Sequence, residues 1–275
     1  MNSAAPGTSA TPGETVLAAH DQDLGGQVAL VTGASGGIGA ATARLLAARG
    51  AAVAVNYRAN KAAALNVTAS IIARGGTAVA VQADVTSAEQ VSQLVADTVR
   101  ELGPIDVLVA NAAGVDARAA RPSPGLKLAP DDAIHIVDAQ LKAFLYPLHA
   151  VAPAMMESGR GGAVVAVGAS LSRRSPEGFL ALSMSKAALE AAVRTVAREL
   201  GPAGVRVNLV APGLILSAIG SAMPEKVREA NAARAAVRRN GVPEDVAESI
   251  AFLASSRASY LTGTYLLVDG GTAMT

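Results

Sequence analysis

The stretch Thr32-Gly33-Ala34-Ser35-Gly36-Gly37-Ile38-Gly39 has the residue types and spacing best suited to hold a charged ligand. Its glycines permit a tight turn and let backbone approach a bound group closely. The apolar run Val28-Ala29-Leu30-Val31 leads into it, and an Ala/Leu/Arg helical pattern leaves it. A turn between a buried strand and a helix offers free N–H groups and the positive end of the helix dipole, which together suit the pyrophosphate of a dinucleotide. Gly33, Ser35, Gly36, Gly37, Ile38 and Gly39 are the candidate contacts. An ordinary strand–helix turn is the plainer alternative, but it rarely needs this many glycines.

The next apolar run ends in Asn56-Tyr57-Arg58. An acidic residue about 20 positions beyond the glycines would bind a ribose 2′-hydroxyl and repel a 2′-phosphate. None is present, and Arg58 can pair with a phosphate through charge-assisted hydrogen bonds. NADP(H), preferred over NAD(H), is therefore the expected cofactor. The alternative for Arg58 is a solvated surface arginine.

These residues must be positioned by a sheet. Short apolar runs recur at Val28–Val31, Ala52–Val55, Ala78–Val81, Val107–Ala110, Val164–Val167, Val205–Val210 and Tyr265–Val268. Most are apolar on both alternating faces, as strands covered by helices on both sides must be. Ser87-Ala88-Glu89-Gln90 reads as a capping-box helix start with Val91, Leu94, Val95 and Val99 behind it, and Gly103-Pro104 stops that helix. A further helix is expected from about Leu180 to Leu200, ended by Gly201-Pro202. The alternation predicts an α/β fold: a single doubly wound domain over 24–275, with a seven-stranded, mostly parallel sheet and helices on both faces. Residues 1–23, rich in Pro, Gly, Ser and Thr, read as a disordered tail without the features of a signal peptide.

Composition narrows the function classes. A net charge of +1 gives no bulk electrostatic case for nucleic acid or an anionic membrane. The absence of cysteine excludes disulfides, thiolate metal sites and cysteine nucleophiles, and fits a cytoplasmic location. His20, His135 and His149 have no metal-ligand spacing, so no metal is expected. No run approaches the ~18 apolar residues of a membrane span.

These features resemble the short-chain dehydrogenase/reductase family over about Leu24 to Thr275. Gly33, Gly37 and Gly39 match its glycine motif, Asp84-Val85 its adenine-contacting position, and Asn111-Ala112-Ala113-Gly114 its Asn-Ala-Gly segment. Pro212-Gly213 matches a segment after the sixth strand, with Ile215 and Ser217 near the expected carboxamide contacts. Tyr260-Leu261-Thr262-Gly263 through Val268-Asp269-Gly270-Gly271 resembles the closing segment. The resemblance implies carbonyl reduction or alcohol oxidation by a tyrosine, a lysine four residues later, a serine and an asparagine. It also implies a small-molecule substrate and a homotetramer or homodimer. Lys186 matches the lysine, which holds the nicotinamide ribose. Leu182 then stands at the tyrosine position, Ala169 at the serine position and Gln140 at the asparagine position. A leucine cannot donate a proton.

Replacements lie nearby. Ser170 is one residue past the lost serine, and is either aimed inward or an ordinary loop serine. Ser183 is expected to point elsewhere, because one helical step rotates a side chain by about 100°. Gln140 can bond a substrate carbonyl or a water. The resemblance makes the loop containing Arg173, Arg174, Glu177 and Phe179 line a substrate pocket together with Leu182. Either arginine there could bind an anionic group, or both are solvated. Asp116, Arg118 and Arg121 are candidates for the pocket mouth. Three functions fit these residues. One is reduction of an enone, dienone or carbonyl by a rearranged proton path, as dienoyl-CoA reductases of this family also lack the tyrosine at its usual position. The second is a non-redox cyclase, dehydratase or isomerase, and the third a non-catalytic cofactor-binding subunit.

Overall fold

In the computed structural model, residues 22–114 and 122–274 are described. Seven strands form one sheet in the order β3-β2-β1-β4-β5-β6-β7. They are β1 Val28–Val31, β2 Ala52–Tyr57, β3 Thr77–Gln82, β4 Val107–Ala110, β5 Gly162–Val167, β6 Val205–Pro212 and β7 Tyr265–Val268. Every pairing is parallel, where the sequence predicts a mostly parallel sheet. All seven apolar runs are strands, and β2, β3, β5 and β6 extend past the expected ends.

Alternation along the strands builds two cores. Ala29 and Val31, Val53 and Val55, Val107 and Val109, and Val165 and Val167 enter one core. Their neighbours Val28 and Leu30, Ala54, Leu108 and Ala110, and Val164 and Ala166 enter the other. Successive side chains leave opposite faces of a strand, so a run apolar at every position needs helices on both sides. The first core is closed by α1 Gly37–Ala48, α2 Lys61–Ile72 and α9 Pro243–Ala254. The second is closed by α3 Ala88–Leu102, α4 Pro130–Glu157 and α6 Leu180–Leu200. The short helices α5 Leu171–Arg174 and α7 Ala218–Ser221 follow β5 and β6, and α8 is Glu225–Arg234.

Two local expectations are refined. The Ser87 hydroxyl accepts from the Gln90 N–H at 3.4 Å, but Gln90 Oε1 accepts from the Asp84 N–H at 2.9 Å, so no reciprocal capping box closes. The folded body begins before the expected tail boundary at Asp23: Gln22 and Asp23 form a turn, with Asp23 3.6 Å from Arg49 and Leu24 fully buried. The rest of the expected tail, residues 1–21, lies outside the described residues.

The C-terminal end of α9 is held by an arginine from the sheet. Arg206 donates to the carbonyls of Leu253 and Ala258 at 2.8 and 3.0 Å, and of Ala254 and Ser255 at 3.2 and 3.1 Å. These include carbonyls that a helix end leaves without internal partners. The chain leaves β1 and β4 in opposite directions across the sheet, so a crevice opens between their carboxyl ends. Phe144 on α4 is among the largest fully buried side chains. Phe144→Ala is expected to lower the unfolding free energy by about 3–5 kcal/mol, read by urea denaturation.

Candidate active site

The glycine turn at the end of β1 is tied to three neighbouring strands by polar side chains. The buried Thr32 hydroxyl donates to the Val109 carbonyl at 3.3 Å and accepts from the N–H groups of Asn111 and Ala112, each at 3.0 Å. The Asn111 side-chain amide donates to the carbonyls of Thr32 at 2.9 Å and Gly33 at 3.1 Å. Asn56 Oδ1 accepts from the Gly33 N–H at 3.1 Å, while its amide nitrogen donates to Ala83 at 3.1 Å and Val81 at 3.3 Å. Asn56 is 1% exposed, and both asparagine amides serve to hold the turn. Tyr57 is buried in the first core.

Gly39 shows why the turn tolerates no side chain there. A Cβ would lie 2.6 Å from the Asn111 amide nitrogen and 2.6 Å from the Gly33 carbonyl. Gly33 has φ +62°, in the left-handed region that favours glycine. Helix α1 has no side-chain cap at Gly36. Among the described residues, the N–H groups of Gly37, Ile38 and Gly39 have no hydrogen-bond acceptor. Ser35 is partly exposed, Gly36 is exposed, and Ser217 sits across the turn, 3.4 Å from where a Gly37 Cβ would stand.

At the ends of β2 and β3, the exposed Arg58 lies 3.9 Å from Asp84. The Thr86 hydroxyl and N–H donate to Asp84 Oδ1 at 2.7 and 2.9 Å. Burial would raise the Asp84 pKa, but these bonds and Arg58 outweigh it and hold the carboxyl below its ordinary value. Val85 is buried in the second core.

Lys186 and Gln140 come together from sites 46 residues apart. Lys186 Nζ donates to Gln140 Oε1 at 2.6 Å and to the Val167 carbonyl, at the end of β5, at 3.3 Å. Both residues are buried, and burial pulls the lysine pKa down to about 8. One turn earlier on α6, the half-buried Leu182 offers no polar side-chain atom. Ser183 is buried on the same helix as Lys186, and its hydroxyl has no hydrogen-bond partner among the described residues. Residues 183, 186 and 190 share a helix face, which points inward here.

The loop after β5 is zipped to the one after β6, because the Ser170 N–H donates to the Pro212 carbonyl at 2.8 Å. Ser170 is buried, and its hydroxyl makes no hydrogen bond among the described residues. Gly213 packs against Asp269, and Ile215 is buried in the first core. Ala112 and Ala113 lie partly exposed beside the turn, and Phe179 precedes α6.

Arg173, expected to face a substrate, is engaged within the protein. Its guanidinium lies 3.8 Å from the centre of the Tyr265 ring and donates to Glu190 Oε1 at 2.9 and 3.2 Å. Glu190 also accepts from Ser172 at 3.0 Å and Arg194 at 2.6 Å. Burial alone would raise the Glu190 pKa, but these donors bring it below its ordinary value. The Arg174 N–H donates to the Ser170 carbonyl at 3.0 Å, and its guanidinium makes no hydrogen bond or ion pair among the described residues. Asp116, Arg118 and Arg121 lie outside the described residues. No cluster of His, Asp or Glu that could hold a metal occurs among the described residues.

The Thr32 hydroxyl knot and the Ser172–Arg173–Glu190–Tyr265 cluster were not foreseen from sequence. Glu190 and Arg194 show the i,i+4 spacing of a helical ion pair, which was a readable signal. Nothing local marks Tyr265 as the partner of Arg173, 92 positions away by numbering (265 − 173 = 92).

A doubly wound parallel sheet with a glycine turn at its crevice has the architecture of a dinucleotide-binding domain. Comparison with known proteins sharpens that class. The family model described as enoyl-(acyl carrier protein) reductase matches residues 33–273. A 3-oxoacyl-[acyl-carrier-protein] reductase of Synechocystis is 40% identical over 253 residues, covering 91% of this chain and 98% of the relative. An L-rhamnose 1-dehydrogenase (NAD(P)(+)) of Sphingomonas is 37% identical, covering 90% and 96%. A dehydrogenase/reductase crystal structure from Sinorhizobium meliloti superimposes with TM-score 0.86 at 34% identity, covering 94% of this chain and all of the other. A 7α-hydroxysteroid dehydrogenase complexed with NADH and 7-oxo glycochenodeoxycholic acid gives TM-score 0.85 at 33% identity, covering 92% and 96%. The chain belongs to the short-chain dehydrogenase/reductase family of oxidoreductases. No described helix is long and apolar enough to cross a membrane.

The lysine gives a pH prediction. Its folded pKa of about 8 lies below the ordinary 10.5, so the unfolded chain holds more protons between these values. This group's contribution to stability therefore rises with pH across that window and is lost as pH falls through it. The unfolding free energy of wild type minus that of Lys186→Met should climb from about pH 8 to 10.5 and be flat at lower pH. An unchanging difference in denaturation curves across the window would contradict the burial of a titrating amine.

Proposed function

We propose that this chain binds NADP(H) in the crevice beside β1 and reduces a carbonyl or conjugated enone there. The observation that carries the reading is the glycine turn itself. It is held rigidly by Thr32, Asn56 and Asn111, yet leaves the Gly37–Gly39 N–H groups without acceptors beneath an uncapped helix. Those donors, with Ser35 and Gly36, hold the pyrophosphate, and the absence of a Cβ at Gly36 leaves open space beside it. Arg58 receives the 2′-phosphate, with Asp84 and Val85 bordering the adenine. Ala112, Ala113, Pro212, Gly213, Ile215 and Ser217 shape the channel toward the nicotinamide. Lys186 holds the nicotinamide ribose.

When bound, the dihydronicotinamide supplies a hydride to an electrophilic carbon of the substrate. The chain's residues must then settle the negative charge that reaches oxygen. Leu182 and Ala169 supply neither a proton nor a hydroxyl, so the active site is an atypical one for its family. Ser170 and the Lys186–Gln140 pair are the polar groups at the edge of β5, and Arg174 is available for an anionic part of the substrate. An enone suits this set because hydride adds at carbon and the resulting enolate can take its proton from water. 3-Oxoacyl thioesters, suggested by the 3-oxoacyl-[acyl-carrier-protein] reductases among the relatives, present a ketone and belong to the carbonyl arm of this reading.

Incubation with ketone and enone panels should oxidise NADPH, followed by its absorbance, with the enones faster. Absence of oxidation across both panels, with substrate consumed at constant NADPH, would assign the site to non-redox chemistry instead. Arg58→Glu should weaken NADPH binding by about 10-fold or more while sparing NADH, measured by fluorescence titration. Equal losses for both nucleotides would remove Arg58 from the 2′-phosphate site.

A further inference from the structure

We propose that Gln140 is a positioning residue for Lys186, its side-chain oxygen accepting from the buried ammonium and keeping it charged and directed for cofactor binding. The inference rests on the reading that the crevice binds NADP(H).

A buried ammonium must be met by acceptors, because losing water without replacement costs several kcal/mol. The residue one turn before Lys186 on α6 is Leu182, which provides none. Two acceptors are present: Gln140 Oε1 at 2.6 Å and the Val167 carbonyl at 3.3 Å. The glutamine contact is the shorter and comes from the middle of α4, itself buried. The bond also fixes the orientation of the glutamine amide, since only its oxygen can accept from an ammonium.

Among the described residues, no charged group on the surrounding elements pairs with Lys186. On α4, Asp138 pairs with Lys142 at 2.8 Å at the surface. On α6, Glu190 is held by Ser172, Arg173 and Arg194. On α5 stand Arg173 and Arg174, and on β7 the Tyr265 hydroxyl lies near Ser172 and the Ala169 carbonyl at 3.3 and 3.4 Å. The Asn111 amide faces the glycine turn. The charge on Lys186 is therefore stabilised by neutral dipoles, and Gln140 supplies the shorter contact. Burial has already brought the lysine pKa to about 8, so loss of one dipole moves it toward neutrality.

An amine that has lost its proton has one donor fewer for the ribose, so cofactor affinity should fall as pH rises through the lysine pKa. NADPH binding, followed by intrinsic nicotinamide fluorescence between pH 6 and 10, tests this without turnover. The range is set about two units either side of the lysine value. Wild type should lose affinity with a midpoint near the lysine pKa. Gln140→Leu should move that midpoint down by about one unit, and Gln140→Glu should move it up, because a carboxylate favours the ammonium. The downward shift on removing the oxygen is the discriminating result, and Gln140→Glu confirms that position 140 faces the amine. Lys186→Met should abolish the transition.

If Gln140→Leu does not fold, Gln140→Met, of similar length and without the accepting oxygen, carries the same test and should also move the midpoint down. Binding by wild type with unchanged midpoints in the folded variants would overturn the role of Gln140 and leave the cofactor reading standing. No NADPH binding by wild type at any pH would overturn both.

Discussion

Burial of the parallel strands on both faces governs where chemistry can occur in this protein. A strand apolar at every position carries no functional group along its length. Ala29 and Val31 are buried on one side, Val28 and Leu30 on the other. Polar side chains are therefore concentrated where strands end, and the sheet order separates the loops after β1 and β4 into a crevice. The glycine turn, the Asn111 segment, the Ser170 loop and the Pro212 loop all lie along this carboxyl edge. They are joined there by hydrogen bonds such as Ser170 N–H to the Pro212 carbonyl.

Within that edge, the polar groups divide by the company they keep. Thr32, Asn56 and Asn111 satisfy one another's backbone and rigidify the turn, so the unpartnered N–H groups of α1 are held in place. Ser172, Arg173, Glu190, Arg194 and Tyr265 form a second closed cluster that braces the loop after β5 against α6 and β7. Lys186 and Gln140 form a third group, in which a charge is met by neutral dipoles alone. The first two groups are well matched donors and acceptors. The third carries the burial cost of a charge, a feature common where function rather than stability sets the residue.

Much of the fold was legible because it rests on local patterns. The seven apolar runs and the helix from Leu180 to Leu200 follow from periodicity and from the Gly-Pro stop that ends it. The glycine turn was legible for the same reason, as strand, glycines and helix are consecutive. The residues at the ends of β5 and on α6 were less so. Ser183 lies on the buried face of α6 with Lys186 and Glu190, a placement that its spacing from Leu182 does not by itself decide. Arg173 and Arg174 are adjacent and alike in sequence, yet Arg173 stacks on Tyr265 while the Arg174 side chain has no polar partner among the described residues.

By itself the sequence determined the order of strands and helices, the site of the glycine turn, and the residue types at the positions that matter: a lysine at 186, a leucine at 182, an alanine at 169 and a glutamine at 140. Those are properties of short segments, set by side-chain size, periodicity and backbone freedom. Tertiary structure alone decided which of these groups meet. Gln140 reaches Lys186 because α4 and α6 pack side by side over β5, and Arg173 is occupied because β7 brings Tyr265 beneath it. Contacts between residues far apart in the chain depend on how whole elements pack, and no local pattern encodes that geometry.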